Sequence, residues 1–474
     1  MKAQKVILSL VFVLVALVLG NRGIIASDKI SDEEITKWVK EALMEDPRVN
    51  IENIHFKAKD GIVRLTGTVN NLDEKKYAEL ESKKIRGVVG VIDELTLTPA
   101  YRSDSDIEAD VLKRLTGSPF INIKNLMVRV SNGTVILTGQ VSSWIELKEA
   151  DDLASEVRGV RSLEDDLVIK FKTERSDEAI LRDVEDLLDR DVYLYNLPIN
   201  ASVNNGKVIL EGTVGSPYEK ERAELDALGT MNVTSVENRI KIKPAEVYGV
   251  KQEDREPSDQ EIKQYVETEL NEDPRIDPFE IKVDVSEGVV TLSGSIPDFY
   301  ERRIAENDTR DVVGVLDVDN QLTVLTIENV DKDETIFIDV ENRIQSNDVL
   351  SGERIKVQVD DGVVILTGRV SNYWEIHYAT EVVSRVMGVR DIINNLTVNK
   401  LTNLKDDILE YKIKHSLESD WLTSLVSDNI KVTVKDGIAT LQGKVDTYSE
   451  YREAARVTSR TTGIWKVVNN LTFE

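Results

Sequence analysis

Side chains able to do covalent or metal chemistry are scarce in this sequence. It has no cysteine, so it can form no disulfide, no thiolate zinc site and no lipid-modified N-terminal cysteine. Its three histidines lie apart. His55 is one residue out of phase with the inward-facing Phe56, His377 and His415 fall in two separate helices, and no catalytic pair emerges. Carboxylates abound, 86 against 60 Lys and Arg, yet paired-acid hydrolysis needs two of them held at fixed separation in a cleft. Asp104, Asp106 and Asp110, and Asp317 with Asp319, are loose acidic groups without the spacing or central glycine of a calcium loop. The expectation is a protein that is not an enzyme, with no catalytic residue, no metal and no cofactor. A net charge of −26 and a pI near 4.7 repel phosphate backbones, so no nucleic-acid partner is expected.

The residue types with the clearest recurrent spacing are aromatic. Trp144, Tyr218, Phe299 with Tyr300, Tyr373 with Trp374, and Tyr448 each follow a strand pattern at the same point, where Leu72 stands in the first unit. Two readings are open: the ring staples the loop onto the start of the following helix, or rings at one end of the molecule touch a membrane interface or a hydrophobic ligand. Tyr373, Trp374 and Tyr378 form the densest group. Charge offers a second candidate surface. The unit over 257–328 has 6 basic and 18 acidic residues, whereas the one over 29–100 has 12 and 14 and includes Lys75, Lys76, Lys83, Lys84 and Arg86. Anionic headgroups would meet the first or the sixth unit; the plain alternative is a solvated helix face.

These residues are positioned by one unit written six times. Glycines closing a polar turn fall at Gly61, Gly133, Gly206, Gly288, Gly362 and Gly437, at steps of roughly 72 to 82 residues. A second glycine follows each: Gly67, Gly139, Gly212, Gly294, Gly368 and Gly443. A third set, Gly87, Gly159, Gly314, Gly388 and Gly463, is replaced in the third unit by Asn232, the side chain that best tolerates the left-handed backbone. This third position reads as a helix C-cap. Ile35, Val39 and Leu43, and their counterparts through Leu409, Ile413 and Leu417, mark an opening helix in every unit. Ser31 with Glu34, Ser176, and Ser258 with Glu261 are its capping signals. Pairs such as Asn132-Gly133 and Asp361-Gly362 are two-residue hairpin turns between alternating strands. The second glycine, within a strand, is expected to let a helix approach closely. A second helix and a last strand complete the unit.

The fold class is therefore α+β: six tandem small αββαβ domains, each a three-stranded sheet with two helices on one face. They span 29–100, 101–173, 174–244, 257–328, 329–400 and 401–474, with a linker at 245–256. Asp93, Asp165, Asn238, Asn320, Asn394 and Asn469 recur at the last strand and read as side-chain to backbone bonds. Outward apolar positions such as Ile136, Ile209, Val363 and Ile365 are available to pack unit on unit or on a protein partner. Lys2 and Lys5 precede an uncharged run from Val6 to Gly20, so residues 1–28 read as a signal peptide or, uncleaved, an N-terminal anchor. The protein is then periplasmic, or tethered to the membrane.

With these residues in hand, a family resemblance is evident. Gly362-Val363-Val364-Ile365-Leu366-Thr367-Gly368-Arg369-Val370, a helix, then Gly388-Val389-Arg390-Asp391-Ile392-Ile393-Asn394-Asn395-Leu396 resembles the BON domain of bacterial osmotically inducible and nodulation proteins, and all six units match. The resemblance implies a non-enzymatic envelope protein that binds membrane phospholipid or hydrophobic envelope components under osmotic or envelope stress. Many members carry two such domains, and six suggests a spacer or multivalent role. No lipid-binding residue carries over, because the motif consists of fold-making glycines and aliphatics. The competing reading is a structural or protein-interaction scaffold without lipid binding; its oligomeric state is left open.

Overall fold

The computed structural model describes residues 30–98, 102–171, 173–247, 257–325, 333–347, 349–398 and 405–473. The N-terminal segment 1–28 and most of the linker lie outside them. Each domain is helix, strand, strand, helix, strand. The opening helices are Asp32–Glu45, Asp104–Thr116, Asp177–Arg190, Asp259–Glu272, Asp333–Ser346 and Asp406–Ser419. The second, crossover helices are Leu72–Lys83, Trp144–Ser155, Pro217–Gly229, Phe299–Asp311, Tyr373–Ser384 and Tyr448–Arg460. In domain 1 the hairpin strands Ile54–Lys59 and Ile62–Val69 pair antiparallel, and the closing strand Gly90–Leu97 joins the second in parallel, placing the second hairpin strand at the centre. The other sheets repeat this order; in domain 3 the closing strand is split into Ser235–Asn238 and Lys241–Ile242 without change of register.

The opening helix forms because apolar residues four apart make one stripe, and that stripe is buried: Ile35, Val39 and Leu43 in domain 1, Leu409, Ile413 and Leu417 in domain 6. Each such side chain contributes roughly 1.5–3 kcal/mol. Val63, Leu65, Val69 and Leu95 supply the sheet face beneath. Ser31 and Ser258 form full capping boxes, and Ser176 caps through one bond. The hairpin turns place both residues at positive φ, as Asp361 (51°) and Gly362 (75°) do, which only the type I′ turn requires.

Two glycine roles differ from expectation. At Gly368 the neighbour is not a helix: with φ at 135°, a Cβ would lie 1.9 Å from the Arg354 carbonyl oxygen, at the entry to the adjoining strand. The third glycine is not the helix C-cap either. The crossover helix of domain 2 ends at Ser155 with Glu156 as its cap, and Gly159 (φ 99°) sits in the following turn, where a Cβ would press on Ile107 of the opening helix. Asn232 takes the same left-handed conformation (φ 71°).

The six domains close into two rings. In the first, the N-terminal half of each crossover helix meets the last turn of the next. Lys76 of domain 1 pairs with Asp152 of domain 2 at 3.0 Å, Ile145 of domain 2 lies against Gly229 of domain 3, and Glu221 of domain 3 pairs with Lys83 of domain 1 at 3.0 Å. The second ring is built likewise, except that the domain 4 helix reaches the start of the closing strand of domain 5. Arg302 of domain 4 meets Asp391 of domain 5 at 3.2 Å, the Trp374 ring of domain 5 lies 6.0 Å from the Arg460 guanidinium of domain 6, and Arg452 of domain 6 pairs with Asp311 of domain 4 at 2.9 Å. The rings stack with domain 1 on 6, 2 on 5 and 3 on 4. Trp421 N–H donates to Lys84 O and Arg86 N–H to Ser419 O, both at 2.9 Å; Val192 N–H donates to Asp311 O and Val313 N–H to Arg190 O, both at 2.8 Å; Met387 N–H donates to Gly117 O at 3.1 Å. Two facing head-to-tail rings of three have the contact order of a dihedral hexamer, here written in one chain.

Candidate functional site

The joints between domains gather the residues with functional potential, and three recurrent acceptor positions, two of them always acidic, hold the elements that form them. The first residue of every opening helix is Asp. In domain 1 its carboxylate accepts Asp60 N–H at 2.9 Å and Gly61 N–H at 3.1 Å, and Asp104, Asp177, Asp259, Asp333 and Asp406 clamp their hairpin turns the same way. The third residue of every crossover helix is a buried Glu: Glu74, Glu146, Glu219, Glu301, Glu375 and Glu450. Glu74 accepts Asn70 N–H at 2.7 Å and Asn50 N–H at 2.8 Å, tying two loops together. Burial pushes Glu301, Glu375 and Glu450 up to about 7. A third acceptor, Asp46, Ser118, Asp191, Asp273, Asn347 or Asp420, is buried after each opening helix and takes backbone N–H groups of the next turn. The sequence reading took Asp104 only as a loose acidic group and passed over the buried Glu position, although each of these Glu residues stands seven places after the second glycine of its unit. At the closing strand the expected bonds form: Asn394 Nδ2 donates to Ile376 O at 2.7 Å and Asn469 Nδ2 to Tyr451 O at 3.0 Å.

The aromatic positions fall at the first two residues of the crossover helices and are not gathered at one end. Phe299, 5% exposed, leaves domain 4 and enters the core of domain 5; Leu72, its counterpart, packs against the core of domain 2. Tyr300 is buried in the core of its own domain. Tyr218 meets Tyr193 edge-on at 5.7 Å, Trp421 of domain 6 at 5.5 Å and Lys84 of domain 1 at 4.6 Å. Trp374 stacks on Tyr378 at 4.6 Å, with Arg48 of domain 1 4.9 Å from its ring. Tyr373 stands edge-on to His377 at 5.0 Å, Tyr448 lies 4.4 Å from Phe473 of its own closing strand, and Trp144 is half-buried.

Charges fill the same joints. Arg190 is 2% exposed and binds Glu269 at 2.5 Å and also Glu272, both across the 3/4 joint. At the 1/6 joint Glu81 accepts Arg460 at 2.5 Å; burial pushes its carboxyl up, but Arg460, Lys84 and Arg456 outweigh that and hold it well below the usual carboxylate range. Glu453 is brought down to about 2 because Arg456 overcomes its burial, while burial and Glu453 push the adjoining Asp420 well up. Of the basic residues of domain 1, Lys76 and Lys83 point into ring joints, and burial pushes Lys84 down to about 8. His415 bonds Glu41 across the 1/6 joint at 2.8 Å. Asp110 is taken by Arg102 at 2.6 Å, and among the described residues no acidic or histidine cluster suits a metal ion. A cavity of about 530 Å³ lies at the 2/5 joint, lined by Arg102, Lys113, Arg114, Asp339, Arg343 and Ser346 among others.

What stays outward is the far face of each sheet. Met127 and Val168 of domain 2 are each 60% exposed there, and Ile62, Ile92, Val289 and Ile393 are exposed in their domains. Ile136, Ile209, Val363 and Ile365 are half-buried. Among the described residues no helix is long and apolar enough to cross a membrane.

A sequence profile of the BON domain family matches the chain six times, at 31–99, 103–170, 176–244, 258–326, 332–400 and 405–474. The chain is 27% identical to osmotically-inducible protein Y of Escherichia coli over 148 residues, 30% of this chain and 74% of that protein. It is 30% identical to the outer membrane lipoprotein DolP of Haemophilus influenzae over 141 residues, 28% of this chain and 72% of that protein. The solved C-terminal domain of CdsD, a type III secretion structural protein of Chlamydia trachomatis, overlaps 45% of this chain and all of that domain at 14% identity and a TM-score of 0.13, too low to carry an argument.

Proposed function

The chain belongs to the BON domain family, and from that premise we propose that it is a non-catalytic envelope protein in which six domains close into one rigid body and present their sheets outward as repeated contact surfaces. The observation that carries this is the entry of Phe299 of domain 4 into the core of domain 5, where a free string of domains would leave that ring in water. The names of the relatives, one osmotically inducible and one an outer membrane lipoprotein, support an envelope location and a part in osmotic or envelope stress. Residues 1–28 would export the chain to the periplasm or anchor it. Its partners on this reading are envelope components met by several sheets at once, so that weak contacts add through avidity.

Phospholipid binding is the second reading, favoured by Met127 and Val168 standing exposed beside Arg129 on one sheet face. Flotation of the chain from Ser27 with neutral and anionic vesicles across a salt series tests it. Binding that drops with Met127→Ser and Val168→Ser supports lipid contact through the sheet; absence of binding to every vesicle leaves the scaffold reading.

A further inference from the structure

Of the three stacked joints, the one between domains 2 and 5 brings like charges together. The residue preceding the last buried apolar position of each opening helix is Ala42, Arg114, Leu187, Glu269, Arg343 and Ser416 in domain order. Stacking brings equivalent positions towards each other. Ala42 thus goes with Ser416, and Leu187 with Glu269, which is itself neutralised by Arg190. At the 2/5 joint both are arginine. Arg114 is satisfied by Glu156 at 2.6 Å and Ser346 Oγ at 2.8 Å. Arg343 is not. It is 7% exposed, its Nη1 donates to Arg385 O at 3.4 Å, and its Nε and Nη2, both shielded from solvent, have no hydrogen-bond partner among the described residues. Burial, then Arg114 and Arg385, push it down to about 10 against the opposing pull of Glu156.

Arg343 lines the 530 Å³ cavity, a size that suits a small molecule. The rim charges there are matched, Arg102 with Asp110 at 2.6 Å and Lys113 with Asp339 at 3.0 Å, so the buried guanidinium is left over. Glu156 and Glu149 act on this guanidinium only from a distance, and among the described residues no carboxylate bonds it, so an anion with several acceptor oxygens is favoured in a cavity whose lining also holds Arg102, Lys113, Arg114 and Arg158 against Asp110 and Asp339. We propose that the cavity between domains 2 and 5 binds a compact phosphate-bearing anion, with Arg343 as its principal ligand. Soluble phosphate esters and phospholipid headgroups share this chemistry.

Titration calorimetry of the whole chain at constant ionic strength with inorganic phosphate and with glycerol 3-phosphate tests it, beside flotation with phosphatidylglycerol vesicles. Saturable binding of a soluble phosphate is expected, weakened by about tenfold or more in Arg343→Met. Ser346→Glu, which builds a carboxylate into the cavity, is expected to abolish it even if Arg343→Met fails to fold. Vesicle binding that is lost in the same variants assigns the headgroup as source, and soluble binding alone assigns a free ester. No saturable binding of any of the three probes, or binding undiminished in both variants, overturns the proposal.

Discussion

The 3/4 and 2/5 joints are built from the same helices at the same positions, yet they are closed differently. At 3/4 a buried arginine meets two carboxylates and, among the described residues, two backbone bonds cross; at 2/5 a buried arginine faces another arginine, one backbone bond crosses among the described residues and a cavity remains. A repeated fold fixes where domains touch. The side chain at one helix position decides whether the contact is a finished joint or a site that needs a further charge.

The largest effects should come from breaking the finished joint. Arg190→Leu leaves the half-buried Glu269 and Glu272 without their cation and is expected to cost about 2 kcal/mol or more in urea unfolding, whereas Arg343→Leu, which removes a charge without a direct ion partner, should change stability by less than about 1 kcal/mol in the absence of an anion. Equal losses would erase the distinction between the joints. Phe299→Ala should cost about 3 kcal/mol, because it empties a place in the core of the neighbouring domain, and proteolysis between domains 4 and 5 should quicken with it.

A ring joint adds a pH test. Burial and then Glu156 push Asp73 of domain 1 up to about 6 from an ordinary 3.8, despite Lys76. A raised carboxyl favours the folded state most below the unfolded value, and that contribution is lost as pH rises through about 6. Asp73→Asn should therefore match the parent at pH 4 and exceed it by about 1–2 kcal/mol at pH 8, read from unfolding midpoints at both. The smallest effect belongs to the half-exposed pair Lys113–Asp339 at the rim of the 2/5 joint: Lys113→Ala should shift stability by less than about 0.5 kcal/mol.

The domain was legible in the sequence because its signals are local. Ile35, Val39 and Leu43 specify a helix face within nine residues, and Asp361-Gly362 specifies a turn within two. The roles of Gly368 and Gly159 were misjudged because each depends on an atom brought close by folding, the Arg354 carbonyl and the Ile107 side chain. The aromatic positions were visible as a recurrence, but their partners were not. Nothing near Phe299 in sequence announces the core of domain 5, and nothing near Tyr218 announces Trp421, some two hundred residues on. Contacts between repeats follow from ring closure, which the pattern within one repeat does not encode.

Closure of the six domains into two stacked rings is the central claim, and small-angle X-ray scattering of the chain from Ser27 to Glu474 tests it most directly. A closed body of this length should give a radius of gyration of about 22 Å and a single-peaked distance distribution. A radius above about 30 Å, with a distribution split into separate peaks, would mean a string of independent domains and would contradict the account.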